Sequence, residues 1–250
     1  MTQTYRAAVC AALEGPGSLE IRTFPCPPLA AGDVRIAVRA AGANFPDLLM
    51  TRGGYQLRPD LPFVPGMEVA GDVLEVGADV TDFKAGDRVM AQLRLGGFAE
   101  QAIAPAGQMF PLPDALTYEE GAGWYVAATT AWHALNDKAD IQPEETLLVL
   151  GASGGVGMAA VQLGKHKGAT VIGLASTKAK LDAILAAGAD FAFLNDTPDL
   201  PEAVKAATGG KGADVVLDMV AGDYVAREVQ GVADDGRIVN LADMQAQTTD

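Results

Sequence analysis

Thiols and imidazoles are scarce in this sequence: its 250 residues include two cysteines, Cys10 and Cys26, and two histidines, His133 and His166. Two cysteines are too few for a disulfide scaffold or a thiolate zinc site. Positive charge is scarce too, with 18 Lys and Arg against 32 Asp and Glu and a formal net charge of -14. A duplex-wide nucleic-acid surface needs clustered cations to displace counterions, so no nucleic-acid partner is expected. No apolar run approaches the roughly 18 residues of a membrane helix, and the opening Met1-Thr2-Gln3-Thr4-Tyr5-Arg6 lacks a secretory apolar core. Core-forming residues are plentiful: 49% are hydrophobic, 29 are glycines and only 20% are charged, which argues against wholesale disorder. The expectation is a soluble, cytoplasmic chain of one large or two modest domains, with no membrane partner.

The pattern changes near residue 115. Before it, short β-type runs alternate with Gly/Pro punctuation: Tyr5 to Cys10, Leu19 to Phe24, Asp33 to Ala40, Val69 to Val76, Arg88 to Ala91 and Phe98 to Ala104. Many short strands separated by turn signals predict a small β barrel or sandwich-like domain over residues 1–116. An alanine-rich helix from Tyr118 to Asp137 follows, with Thr117 as its cap and Glu119 and Glu120 in its first turn. It opens a second domain, residues 117–250.

From Thr146 strands and helices alternate. Strands are predicted at Thr146 to Leu150, Thr170 to Ala175, Phe191 to Leu194, Asp214 to Met219 and Arg237 to Leu241. The helices between them are Val156 to Lys167, Lys178 to Ala187, Pro201 to Thr208 and Asp223 to Val232. Apolar strands alternating with helices call for a parallel sheet covered on both faces, a doubly wound α/β fold. The polar tail after Leu241 carries no sixth strand.

The sharpest local signal is Leu150-Gly151-Ala152-Ser153-Gly154-Gly155-Val156-Gly157, placed where the first strand of this unit passes into its first helix. Glycines at three-residue intervals allow a tight turn, close approach to a pyrophosphate and close helix–sheet packing, with phosphate meeting free amides at the helix end. A glycine-rich connection without a ligand is the plain alternative. An NAD site of this kind has an acid about 20 residues further on, for the ribose hydroxyls. Here Leu174-Ala175-Ser176-Thr177-Lys178-Ala179-Lys180 offers hydroxyls and lysines instead, which suit a 2′-phosphate. NADPH is therefore expected over NADH. The alternative is that Ser176 caps the next helix and the lysines are solvated.

With these residues the chain resembles the medium-chain dehydrogenase/reductase superfamily, in its zinc-independent quinone oxidoreductase branch of the zeta-crystallin type. The matching segments are 40–47, Gly54-Tyr55, 62–71, 83–89, 130–135, and Gly154-Gly155-Val156-Gly157 running into Ala160-Val161-Gln162-Leu163. The resemblance implies a GroES-like β domain followed by a Rossmann domain, with NADPH and substrate in the cleft between them and a homodimer as one option. It implies hydride transfer to a quinone or another electron-poor enone or carbonyl compound. It puts Asn44, Asp47 and Tyr55 near the substrate and nicotinamide end, Thr130 by the nicotinamide, and Gly151, Ser153, Gly154, Gly155, Val156, Gly157, Ser176 and Lys180 around the rest of the cofactor. Zinc-dependent relatives carry Cys and His ligands on the early loops, where the stretch before Asp47 and the position of Met67 have none, so no metal is expected. Asn195 stands where NADPH-using relatives have a tyrosine, and Leu49 where they have an aromatic residue. Family members run well past the fifth Rossmann strand, so the chain is expected to be shortened at its C-terminus, with sheet and catalytic domain incomplete.

Without a metal, catalysis reduces to orienting the reactants and excluding water. Asn44 and Tyr55 are expected to hydrogen-bond the substrate oxygen or the nicotinamide amide. Each candidate has a structural alternative: a turn for Asn44, a cap for a helix starting near Leu48 for Asp47, packing for Tyr55. His133 reads as a packed or surface residue, His166 as favouring a helix C-terminus, and Trp124 and Trp132 as packing in or beside the core. Two other functions stay open: a non-catalytic NADPH-binding or interaction protein that retains the fold, and an enoyl-thioester reductase of the same superfamily.

Overall fold

The computed structural model describes residues 3–220 and 231–241. The chain divides into two compact units between Val126 and Ala127.

In the first unit β1 (Thr4–Cys10) and β2 (Leu19–Pro25) form an antiparallel pair, in register from Thr4 opposite Pro25 to Cys10 opposite Leu19. A five-stranded antiparallel sheet follows, built from β3 (Asp33–Gly42), β4 (Glu68–Val76), β5 (Arg88–Gln92), β6 (Gln101–Pro105) and β7 (Met109–Pro111) in the order β6-β3-β4-β5-β7. Its core gathers Val34, Ile36, Val69, Val73, Val89 and Ala91, the alternate positions of three neighbouring strands. The β3–β4 pair is close enough that Gly71 is required: a Cβ there would strike Ala37 O and lie 2.9 Å from Ala37 C.

The last early strand is shorter than its sequence pattern. Phe98 O accepts from Ala8 N and Glu100 N donates to Arg6 O, both on β1, while Glu100 O accepts from Val38 N of β3, and β6 begins only at Gln101. The short helix α1 (Phe45–Thr51) lies between β3 and β4.

The long helix expected from Tyr118 is three pieces: α2 (Tyr118–Ala122), α3 (Tyr125–Trp132) and a wide π-helical turn over His133–Lys138. Thr117 does cap α2, its hydroxyl accepting from Glu120 N at 3.2 Å while the Glu120 carboxylate accepts from Thr117 N. Gly121 and Gly123 explain the break. Gly121 is held against Leu112, where a Cβ would collide with Leu112 Cδ1, and Gly123 ends the helix at φ -96°, ψ 4°. Glycine is a poor helix former, and here close packing rather than helix propensity selects it.

The second unit holds a five-stranded parallel sheet of β8 (Thr146–Val149), β9 (Thr170–Ala175), β10 (Phe191–Leu194), β11 (Ala213–Asp218) and β12 (Val232–Asn240), in the order β10-β9-β8-β11-β12. Helices α4 (Gly155–His166), α5 (Lys178–Ala186) and α6 (Leu200–Ala207) alternate with these strands. The helix expected from Asp223 lies outside the described residues apart from its last positions, and Val232 opens β12.

The two-faced burial is legible residue by residue. Leu147, Val149, Val171, Val215 and Leu217 pack on one side with Val161 of α4 and Ile184 of α5; Leu148, Ile172, Leu174 and Val216 pack on the other with Leu200 and Val204 of α6. Neighbouring positions of each strand go opposite ways, as a sheet covered on both faces requires. No helix among the described residues is long and apolar enough to cross a membrane.

Replacing Gly71 with alanine forces β3 and β4 apart, and overpacking of this kind costs about 1–3 kcal/mol. Urea denaturation of Gly71→Ala is expected to show that loss; an unchanged midpoint would mean that the strand pair yields.

Candidate functional site

Strands β8 and β9 run parallel, with Val149 opposite Gly173, so the turn after β8 and the turn after β9 emerge at the same edge of the sheet. Ligands of open α/β sheets bind at this carboxyl edge. The first turn is fastened to β9 by Ala152 N donating to Leu174 O at 3.0 Å and closed by Gly154 N donating to Gly151 O at 3.1 Å. Gly151 takes φ +69°, open to glycine at little cost. Gly157 is buried, and a Cβ on it would lie 2.5 Å from Gly151 O and 2.6 Å from Ala152 Cα, so only glycine lets α4 start this close to the strand.

Gly154 and Gly155 are exposed. The amides of Gly155, Val156 and Gly157 open α4 with no residue one turn back to accept from them, and no side chain caps the helix. Ser153 is half-buried beside them. A row of unspent amides at the positive end of a 12-residue helix is a fit for a diphosphate.

At the end of β9, Ser176 and Lys180 come together, Lys180 Nζ standing 3.3 Å from Ser176 Oγ on the exposed side. The capping alternative for Ser176 is corrected: Thr177 is the N-cap of α5, its hydroxyl accepting from Lys180 N, which leaves the Ser176 hydroxyl clear of the helix end. Lys178 pairs with Asp182, whereas Lys180 has no acidic partner among the described residues. Asn195 donates its backbone N–H to Ala175 O at 2.9 Å, closing the same edge beyond β9. Within α3, Ala127 faces the glycine turn, a Cβ on Gly155 lying 3.5 Å from Ala127 Cβ. Thr130, three residues on, shares that helix face.

In the first unit Asn44 and Asp47 meet. The helix starts at Phe45 rather than near Leu48; Asn44 is its N-cap and Asp47 its third residue, joined in a capping box. Asp47 is 3% exposed, and both its oxygens are occupied: Oδ2 accepts from Asn44 N at 2.9 Å and Oδ1 from Gly66 N at 3.0 Å. Tyr55 packs against the cluster of Cys10, Phe63 and Met50 of α1, which Met67 also joins. Among the described residues no three His, Cys, Asp or Glu side chains are grouped as a metal site.

Sequence reasoning missed Glu68. It is 2% exposed at the start of β4, accepting from Asn44 Nδ2 at 2.9 Å and from Val126 N at 2.9 Å. The one available signal was a lone carboxylate at the head of the apolar run Val69-Ala70. Burial pushes the Asp47 and Glu68 carboxyls above their ordinary values, and the hydrogen bonds they accept only partly oppose it. Trp124 and Trp132 are about half exposed instead of packing in the core, and His133 is a surface residue paired with Asp137. His166 lies in the last turn of α4.

Residues 30–114 match the family of the alcohol dehydrogenase GroES-like domain, and residues 155–249 match the family of zinc-binding dehydrogenases. The quinone oxidoreductase of Thermus thermophilus, solved also in complex with NADPH, is 38% identical and superposes with a TM-score of 0.83 over 94% of this chain and 73% of its own. The chain belongs to the medium-chain dehydrogenase/reductase superfamily, in its quinone oxidoreductase branch. A quinone oxidoreductase-like protein 2 homolog of Nematostella vectensis is 37% identical over 95% of this chain. The pikromycin polyketide synthase component PikAII of Streptomyces venezuelae is 43% identical over 90% of this chain and 6% of its own length. The chain spans 65% of the Nematostella relative, just under two thirds.

Asp47→Asn keeps one acceptor and turns an amide N–H towards a backbone N–H, so it is expected to lower stability by about 1–3 kcal/mol in denaturant titration. A carboxyl whose folded pKa is raised gives stability that is full below its unfolded value and is lost as pH rises through the folded one. The stability of the wild type relative to Glu68→Gln is therefore expected to fall as pH rises above 4.5, the ordinary glutamate value. A rise would show hydrogen bonding outweighing burial.

Proposed function

We propose that this chain binds NADPH at the β8–α4 turn and passes a hydride to a quinone or another electron-poor enone or carbonyl acceptor, without a metal. One observation carries the reading: the glycine turn with its unspent amides shares a sheet edge with Ser176 and with Lys180, which has no acidic partner among the described residues. The amides of Gly155 and Val156 bind the diphosphate, and Ser176 and Lys180 bind the 2′-phosphate, which an Asp or Glu at the end of β9 would repel. Thr130, on the helix face beside the turn, contacts the nicotinamide. The solved relative crystallised with NADPH supports this choice of cofactor.

NADPH held there would supply the hydride for the acceptor carbon and become NADP+, the electron pair displaced onto the acceptor oxygen being met by a proton from solvent. The chain's own groups hold the geometry. Asn44 and the Tyr55 hydroxyl orient the acceptor oxygen or the carboxamide, and Asp47 acts behind them by fixing the first turn of α1 to Gly66. Met67 is packed beside Cys10, Met50 and Phe63, where a thioether among apolar groups provides no hard or imidazole ligand, in keeping with metal-free chemistry. The reading places the protein in the cytoplasm. A second reading, reduction of an enoyl thioester, is favoured by the match to a polyketide synthase component.

Lys180→Ala is expected to weaken NADPH about tenfold, or ~1.4 kcal/mol, while leaving NADH within about twofold in fluorescence titration. Equal weakening of both coenzymes would remove the phosphate assignment. NADPH consumption with a simple naphthoquinone and with crotonyl-coenzyme A then separates the two substrates, and binding without consumption of either marks a non-catalytic protein.

A further inference from the structure

We propose that Glu68 is a positioning residue that sets the direction of the Asn44 amide; the inference rests on the role given to Asn44 above. Glu68 is held at both oxygens. Oε2 accepts from Val126 N at 2.9 Å, and the Tyr125 N–H adds to it. These are the first two amides of α3, and the residues before them, Gly123 and Trp124, carry no side-chain acceptor. The carboxylate thus caps α3 from a distance, at the positive end of its dipole. With Oε2 fixed to a helix end, Oε1 becomes a fixed acceptor for Asn44 Nδ2 at 2.9 Å. Gly42 makes the room for this path, since a Cβ there would lie 2.6 Å from Glu68 Cγ.

An ionised carboxylate accepts and cannot donate, so it selects the nitrogen end of the facing amide. Asn44 gives one Nδ2 hydrogen to Glu68 and keeps the other. Asn44 itself is only half-buried, with exposed neighbours Ala43 and Phe45. The remaining N–H, of fixed direction, is the donor that an acceptor oxygen needs as charge builds on it. Capping alone is met elsewhere in this chain by a local Thr, at Thr117 and Thr177. A buried carboxylate with no cation among its hydrogen-bonding partners is a costly cap unless it also orients a partner.

The test uses the full chain as wild type, Glu68→Gln, Asn44→Ala and the double variant. For each, NADPH affinity, kcat and KM for a naphthoquinone, the melting temperature and the side-chain amide nitrogen–proton NMR spectrum are measured. Both single variants are expected to lower kcat about tenfold with NADPH affinity within about twofold, and the double variant to be no slower than the slower single, because one route is lost once. The Asn44 amide resonances, identified by their loss in Asn44→Ala, are expected to shift in Glu68→Gln. Losses that multiply, or a lowered melting temperature with kcat and the Asn44 resonances unmoved, would overturn the proposal.

A wild-type measurement needs no variant to fold. One Nδ2 proton of Asn44 is expected to exchange slowly and the other quickly, and two equally fast protons would overturn the assignment. Failure of the wild type to bind NADPH or to turn over counts against the proposed function, and the amide spectrum still decides the Glu68–Asn44 link.

Discussion

The close seat of α4 on the strand it follows governs the second unit. Gly157 lies on the backbone of Gly151 and Ala152, so the first turn of α4 sits directly on the end of β8 with its amides facing outward. A side chain at 157 would lift the helix and disperse those amides. The same seat puts the turn beside the end of β9, through Ala152 N and Leu174 O, where Ser176 and Lys180 are found. The outward-facing amides and the Ser176–Lys180 pair therefore come to one sheet edge through one packing constraint and one strand register.

The first unit is organised by buried carboxylates. Asp47 ties the first turn of α1 to Gly66, and Glu68 ties Asn44 to the start of α3. Each replaces the water it gives up with backbone or amide donors rather than with a cation. Burial makes both carboxyls hold their protons more tightly than free ones, the donors opposing it only in part, and shortening either side chain leaves a donor unpaired.

The parallel sheet was legible in the sequence because its strands are apolar at nearly every position and its helices are bounded by glycine and threonine; Gly188, for one, ends α5 at φ +111°. The glycine turn was legible for the same reason, since spacing and location coincide. Legibility failed where a residue serves a distant partner. Gly121 looked tolerable inside a helix because its contact, Leu112, lies outside that helix and is brought against it only by the fold. Ser176 and Thr177 are adjacent hydroxyl residues, and which of them caps α5 depends on backbone angles that spacing does not encode. Glu68 was hidden because a single acid in a strand reads as a solvent-facing position, and only pairing with β3 turns it towards Asn44. The two tryptophans were read from size alone, and size does not say that Trp124, just ahead of α3, and Trp132, at its last position, stay about half exposed.

Gly42 and Glu68 face each other across the β3–β4 pair, and the empty space at one is filled by the stem of the other. A methyl group gained at 42 would strike the Ala122 carbonyl as well as the Glu68 carboxylate, so no shortening at 68 alone makes room for it. Position 42 is held as glycine from two sides, by the main chain at the end of α2 and by the carboxylate stem, and a side chain there could enter only if β3 and α2 parted.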